Sequence, residues 1–339
     1  DAWRDKLNTE LRVGARYYGD IDLHIASASD NDQTQVRQIN HFIDEGVDLL
    51  IISPNQMSTI CPAIERARKK GIPVVLFDRK TNTDNYTAYM GADNYGIGRM
   101  MGNYVASRLK GKGRIVEIKG LRGSSPAIER HRGFLDAIAR YPELHIVTAC
   151  YADWAREKAT VRMDSLLREV EQIDCVFGHN DEMAQGAREA MVRAGRDSSV
   201  LYVGIDGLPS KGGGLEAVYA NRLSASCIYP TRGDLLLELA RNILEKKPYK
   251  KENCGFRSLA RSDRKPQNVR PKLLGHFVLD DCELAAIVAA SGANRVVDVE
   301  STAVSALGER RSYGLVMGAT LEGAGLGLSS FRMCHGVIC

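Results

Sequence analysis

No stretch of this 339-residue chain approaches the ~18 consecutive apolar residues that a membrane-spanning helix requires, and no signal-peptide pattern opens it. Neither sign of charge is in excess: 46 Lys and Arg against 42 Asp and Glu leave a net charge of +4. Without a dense basic stripe, nucleic acid is not an expected partner. None of the eight cysteines (Cys61, Cys150, Cys175, Cys227, Cys254, Cys282, Cys334 and Cys339) stands in a CxxC pair. Cys175 and Cys227 fall in apolar runs, so buried thiols are expected and a zinc or disulfide framework is not. His131, His145 and His179 share no metal-ligand spacing, and neither metal nor cofactor is expected. The glycines of Gly91–Gly96, Gly204–Gly207 and Lys211–Gly214 match neither the Walker nor the dinucleotide spacing, so they read as loops and helix starts. No serine occupies a GxSxG elbow, and an enzyme is not indicated.

What is present is a set of apolar runs that each end in paired polar residues: Val74–Phe77 before Asp78-Arg79, Cys175–Gly178 before His179-Asn180-Asp181, and Leu201–Ile205 before Asp206-Gly207. A short apolar run followed at once by polar groups reads as a buried parallel strand delivering side chains into a crevice, where ligands of open α/β sheets bind. Asp, Asn and Arg each offer two hydrogen-bonding atoms in one plane, which suits a polyol. The same residues at strand ends also cap the following helix, and both readings stand at this point.

Residues 1 to about 250 alternate helical and strand patterns with short polar links, an α/β arrangement with parallel sheets covered on both faces. Strands are predicted at Leu23–Ser27, Leu49–Ser53, Val74–Phe77, Ala88–Met90, Ile115–Ile118, His145–Thr148, Cys175–Phe177, Leu201–Gly204 and Leu223–Ile228, with helices between them. So many strands imply two sheets, hence two lobes. Lys110–Gly113 is the expected first link between them and Tyr229–Thr231 the second. One lobe then comprises 1–110 with 230–253, and the other 111–229, joined by several crossings that let them rock about a hinge. Residues 254–339 fit no part of this scheme and read as an atypical tail, non-native or disordered.

The segments His179–Ala187 and Val203–Gly207, with Leu76–Arg79 and Glu129–Phe134 in the same order, resemble periplasmic sugar-binding proteins of the ribose-binding type. Within that family, Asp1–Asn8, Tyr86–Asn94 and Tyr151–Trp154 resemble the extracytoplasmic sensor domains of Bacteroides-type hybrid two-component regulators. The resemblance covers about residues 1–250. It implies the two-lobed periplasmic-binding-protein fold, each lobe a parallel sheet flanked by helices. It also implies a monosaccharide, fructose- or ribose-like, bound without chemistry between the lobes in the periplasm. Asp78 and Arg79 are then expected to grip ring hydroxyls from the first lobe, and Arg130, Asn180 and Asp206 from the second, with Tyr229 near the hinge. Trp3 and Trp154 match the aromatic positions that sandwich the sugar ring. The output would pass to a membrane histidine kinase or, in a transport protein, to a permease. Two departures stand out. The strand that precedes the aromatic segment in the family is missing, so the first lobe is expected to lack a central strand. The tail shows neither the linker nor the membrane helix of the sensors. The effector-binding core of a lac-repressor-type regulator shares the fold and is the alternative; a sugar- or nucleotide-processing enzyme is a more distant one.

Overall fold

The computed structural model of the chain describes residues 1–255, 258–261 and 334–338. Helix α1 (Ala2–Tyr18) begins where the Asp1 side chain accepts from the Arg4 amide, and it ends at Gly19 in the left-handed conformation. Its buried residues Trp3, Leu7, Leu11 and Ala15 recur every four positions and lay one face on the sheet. Strands β1 (Asp22–Ala26), β2 (Leu49–Ile52), β3 (Val74–Phe77) and β4 (Ala88–Ala92) follow, with α2 (Asp32–Glu45) and α3 (Cys61–Lys69) between them. Every residue of β2 and β3 is buried, as expected of inner strands covered on both faces.

After α4 (Asn94–Arg108), a second run supplies β5 (Lys112–Lys119), α5 (Ser125–Ile138), β6 (Glu143–Tyr151), α6 (Arg156–Leu166), β7 (Cys175–Gly178), α7 (Asp181–Arg193), β8 (Leu201–Asp206), α8 (Gly214–Tyr219) and β9 (Ala225–Ile228). Helix α9 (Gly233–Leu244), β10 (Glu252–Gly255), β11 (Ser258–Arg261) and β12 (Cys334–Ile338) complete the described elements. There are two sheets, in the orders β1-β12-β2-β3-β4-β10 and β11-β9-β8-β7-β5-β6. All pairings are parallel except the antiparallel β11–β9. The two-sheet α/β reading therefore matches the architecture.

Three details differ from expectation. The first sheet does not have an open gap beside β1, because β12 runs parallel between β1 and β2, with Val337 opposite both Ile25 and Ile51. A slot flanked by two strands presents unpaired backbone groups on both sides, and any extended segment that fills it satisfies two ladders at once. The tail thus contributes the end of the strand at 252–255 and the strands at 258–261 and 334–338, while the rest of it lies outside the described residues. Third, the chain first passes between the sheets at Ala92–Asn94 rather than at Lys110–Gly113. Helix α4 packs on α5 so closely that a Cβ at Gly98 would sit 2.2 Å from the Arg130 carbonyl oxygen, and one at Gly133 would sit 2.0 Å from that of Tyr95. Glycine at these places lets the helix backbones meet, which ties α4 to the second sheet's layer. At Tyr229–Thr231 the chain returns, and α9 docks on α1 where Glu10 accepts from Thr231 Oγ1 at 2.7 Å and from the Gly233 amide at 2.9 Å. With β10 in the first sheet and β11 in the second, a third crossing follows.

Candidate ligand-binding cleft

The carboxyl ends of β3, β6, β7, β8 and β9 converge between the lobes. Trp3, Asp78, Arg79, Arg130, Trp154, Asn180, Asp206 and Tyr229 all line one cavity there, together with Asp1, Arg4 and Pro126. The space is about 360 Å³ including its opening to solvent, within the range of small-molecule sites. Two larger cavities adjoin it, and neither collects more than two of those eight residues.

Each side chain is held by its own local geometry. Asp78 follows β3 with a left-handed φ of 63°. Its carboxylate accepts from Arg4 Nη2 at 2.8 Å and from the Tyr229 hydroxyl at 2.8 Å. Burial and the Asp78 charge hold that hydroxyl protonated well past its ordinary range. Arg79 donates to the Pro54 carbonyl and lies 5.7 Å from the Trp154 ring centroid. Burial, then the neighbouring Arg4 charge, pulls its guanidinium down to about 10.

From the second lobe, Arg130 donates through Nε to Asn94 Oδ1 at 2.8 Å and through Nη1 to the His179 carbonyl. Its guanidinium lies 5.6 Å from the Trp154 centroid and 5.0 Å from that of Tyr229. Trp154 itself adopts a left-handed φ of 67° and is nearly buried. Its ring has room because residue 120 is glycine: a Cβ there would fall 2.0 Å from the indole. Trp3 donates its indole N–H to the Tyr229 carbonyl at 2.9 Å and stacks on Phe77 at 5.9 Å, so it also serves its own lobe's core. Asn180 caps α7: Oδ1 accepts from the Met183 amide at 2.9 Å, and Nδ2 donates to the Trp154 carbonyl at 3.1 Å. Asn180 thus fulfils the capping reading, and the same side chain stands on the cavity wall.

The lobes touch across the cleft. Lys80 donates through Nζ to Glu129 Oε1 and through its amide to Ser125 Oγ, both at 2.8 Å. Behind the site, fully buried Glu117 accepts from His179 Nε2 at 2.9 Å and from His131 Nδ1 at 2.8 Å, which accounts for two of the three histidines. Arg4 was not anticipated. The available signal was a basic residue in the first turn of a helix, where the macrodipole disfavours it unless a carboxylate such as Asp78 compensates. Glu117, inside the apolar run Ile115–Ile118, was legible in the same way, as a charge that burial forces to find partners.

A two-lobed α/β fold that brings aromatic planes and planar polar groups together in a hinged cleft defines a solute-binding protein. The chain belongs to the periplasmic binding protein family, whose domain model matches residues 1–248, and within it to the ribose-binding type. It is 33% identical over 229 residues to the ribose import binding protein of Bacillus subtilis, covering 67% of this chain and 73% of that one. Among solved structures it is similar to the fructose-binding periplasmic domain of a hybrid two-component system, at 50% identity and a TM-score of 0.75, over 77% of this chain and 87% of that one. A galactofuranose-binding protein matches at 27% identity and a TM-score of 0.72, over 78% and 91% of the two chains. These relatives are sugar-binding proteins and not enzymes. No helix among the described residues is long and apolar enough to cross a membrane.

Proposed function

We propose that this chain captures a free monosaccharide of the fructose or ribose class in the periplasm. Lobe closure around that sugar would be its output, as the sensing part of a membrane histidine kinase. The observation that carries the reading is the convergence of Trp3, Asp78, Arg79, Arg130, Trp154, Asn180, Asp206 and Tyr229 on one cavity between the lobes. Sugar C–H faces are apolar and stack on aromatic planes, while rim hydroxyls need planar donors and acceptors.

The charges lining the cavity favour a neutral ligand. The side chains of Arg4, Arg79 and Arg130 share the cavity with those of Asp1, Asp78 and Asp206, Arg4 is already paired with Asp78 at 2.8 Å, and a sugar phosphate would meet the carboxyl groups at close range. A ligand that contacts both lobes is bound fully only in the closed arrangement, so it stabilises closure by its differential affinity. The sensor role rests on likeness to the fructose-binding domain of a two-component system; a transport role, relayed to a permease, rests on likeness to ribose import binding proteins.

Thermal unfolding against a panel of pentoses, hexoses and their phosphates tests the proposal. A ligand at 100 times its Kd stabilises by ~2.7 kcal/mol, a shift of a few degrees for a chain of this size. A shift with one or two free sugars and none with phosphates is the expected result. A cooperative transition that no sugar moves would overturn it.

A further inference from the structure

We infer that Asp181 is the positioning residue that aims Asp206 into the cleft, an inference that rests on the sugar-binding reading above. Asp181 is the first residue of α7, immediately after the capping Asn180, yet its side chain is buried instead of facing solvent. Its Oδ2 accepts from the Gly207 amide at 2.7 Å and from Ser226 Oγ at 2.9 Å. One carboxylate thus ties the helix start to the ends of β8 and β9.

What it holds is strained. Asp206 has φ 127° and Gly207 φ 58°, consecutive positions in a region that L side chains rarely adopt. Such a backbone persists only where its surroundings fix it. The bond from the Gly207 amide to Asp181 fixes the C-terminal side of Asp206 together with the Tyr229 amide, which donates to the Asp206 carbonyl at 2.9 Å. The surrounding glycines make room for it: a Cβ at Gly204 would lie 2.3 Å from Asp181 Oδ1, and one at Gly214 would lie 1.7 Å from Oδ2. Oδ1 is buried and has no hydrogen-bond partner.

The geometry also couples the two acids. Around Asp206 stand Asp181 and Glu182 from α7, Arg130 from α5 and Asp78 beyond β3, with Asp1 on the same cavity wall. Burial, then the Asp181 charge, pushes the Asp206 carboxyl well above its ordinary range, and burial raises Asp181 itself to about 7. A ligand hydroxyl that donates to Asp206 favours its ionised form, so binding expels a proton and affinity rises with pH. Removing the Asp181 charge lets Asp206 ionise earlier and moves that rise toward acid.

The experiment is calorimetry with D-fructose from pH 5 to pH 8.5 on the parent, Asp181→Asn and Asp181→Ala. Asn keeps an acceptor for the Gly207 amide at nearly unchanged volume. It is expected to bind within about threefold of the parent at the alkaline end, with the rise in affinity displaced by about one pH unit toward acid. Ala is expected to lose tenfold or more, with faster hydrogen exchange at the Gly207 amide. Parent-like affinity in Asp181→Ala, or the parent's pH profile in Asp181→Asn, overturns the inference alone. A parent that binds neither D-fructose nor any other monosaccharide overturns the sugar reading and this inference with it.

Discussion

Arg130 offers the sharpest test of the cleft. It is 3% exposed, and its Nε and Nη1 are committed to Asn94 and the His179 carbonyl. Among the described residues no protein partner takes Nη2, which leaves one charged donor for a ligand. Arg130→Ala therefore removes two different things. It orphans two buried acceptors, at about 1–3 kcal/mol each, so urea unfolding of the ligand-free protein should show a loss of about 2–6 kcal/mol. It also removes a charged hydrogen bond to the sugar, worth about 1.5–3 kcal/mol, or roughly ten- to 150-fold in Kd. Arg130→Lys retains the charge without the fork and should fall between Ala and the parent in calorimetry with D-fructose. If Arg130→Ala loses its stability but keeps the parent Kd within threefold, Arg130 is a strut between α5 and β7, and the cleft assignment fails.

Lys80→Ala breaks a half-exposed contact across the cleft, worth about 0.2–1 kcal/mol. Fructose affinity measured at low salt should fall by no more than about fivefold, and the difference should shrink as added salt screens the pair in the parent. Gly120→Ala places a methyl against the Trp154 indole and should cost about 1–3 kcal/mol by overpacking; parent-like urea stability and affinity would contradict the placement of that ring. For Glu117, burial alone would raise the carboxyl, but hydrogen bonds from His131 and His179 hold it at about 2 against an ordinary 4.5. A folded-state value below the unfolded one stabilises above pH 4.5 and is lost as pH falls toward 2, here about 3 kcal/mol. Glu117→Gln should flatten that acid limb in denaturation curves taken from pH 5 to pH 2, and an unchanged slope would refute the linkage.

The strands were legible because inner parallel strands such as Val74–Phe77 and Cys175–Gly178 are short, wholly apolar and punctuated by the polar groups they deliver. The cavity-lining residues at those ends followed from the same punctuation, and Trp3 and Trp154 from the family resemblance. The pairings that hold them were not legible. Arg4 meets Asp78 across 74 positions and His179 meets Glu117 across 62, and no local periodicity encodes such a match. Lys110–Gly113 has a linker's composition, yet it is only the tight turn from α4 into β5. The crossing lies where Gly98, Gly102 and Gly133 let α4 join α5, a packing fact that composition does not carry. The slot filled by β12 depends on a partner 312 positions away, since Ala26 pairs with Ile338.

The chain has two tryptophans, and both line the cleft, one on each lobe. Its tryptophan emission, excited apart from that of the 13 tyrosines, therefore originates wholly at the cleft, with no background from indoles elsewhere. Trp154 sits beneath two guanidiniums with its ring N–H unpaired, a setting in which the excited-state dipole is sensitive to small changes in local field. Occupancy and closure can be followed optically in the unlabelled protein, and replacing either indole by phenylalanine separates the signal of one lobe from that of the other.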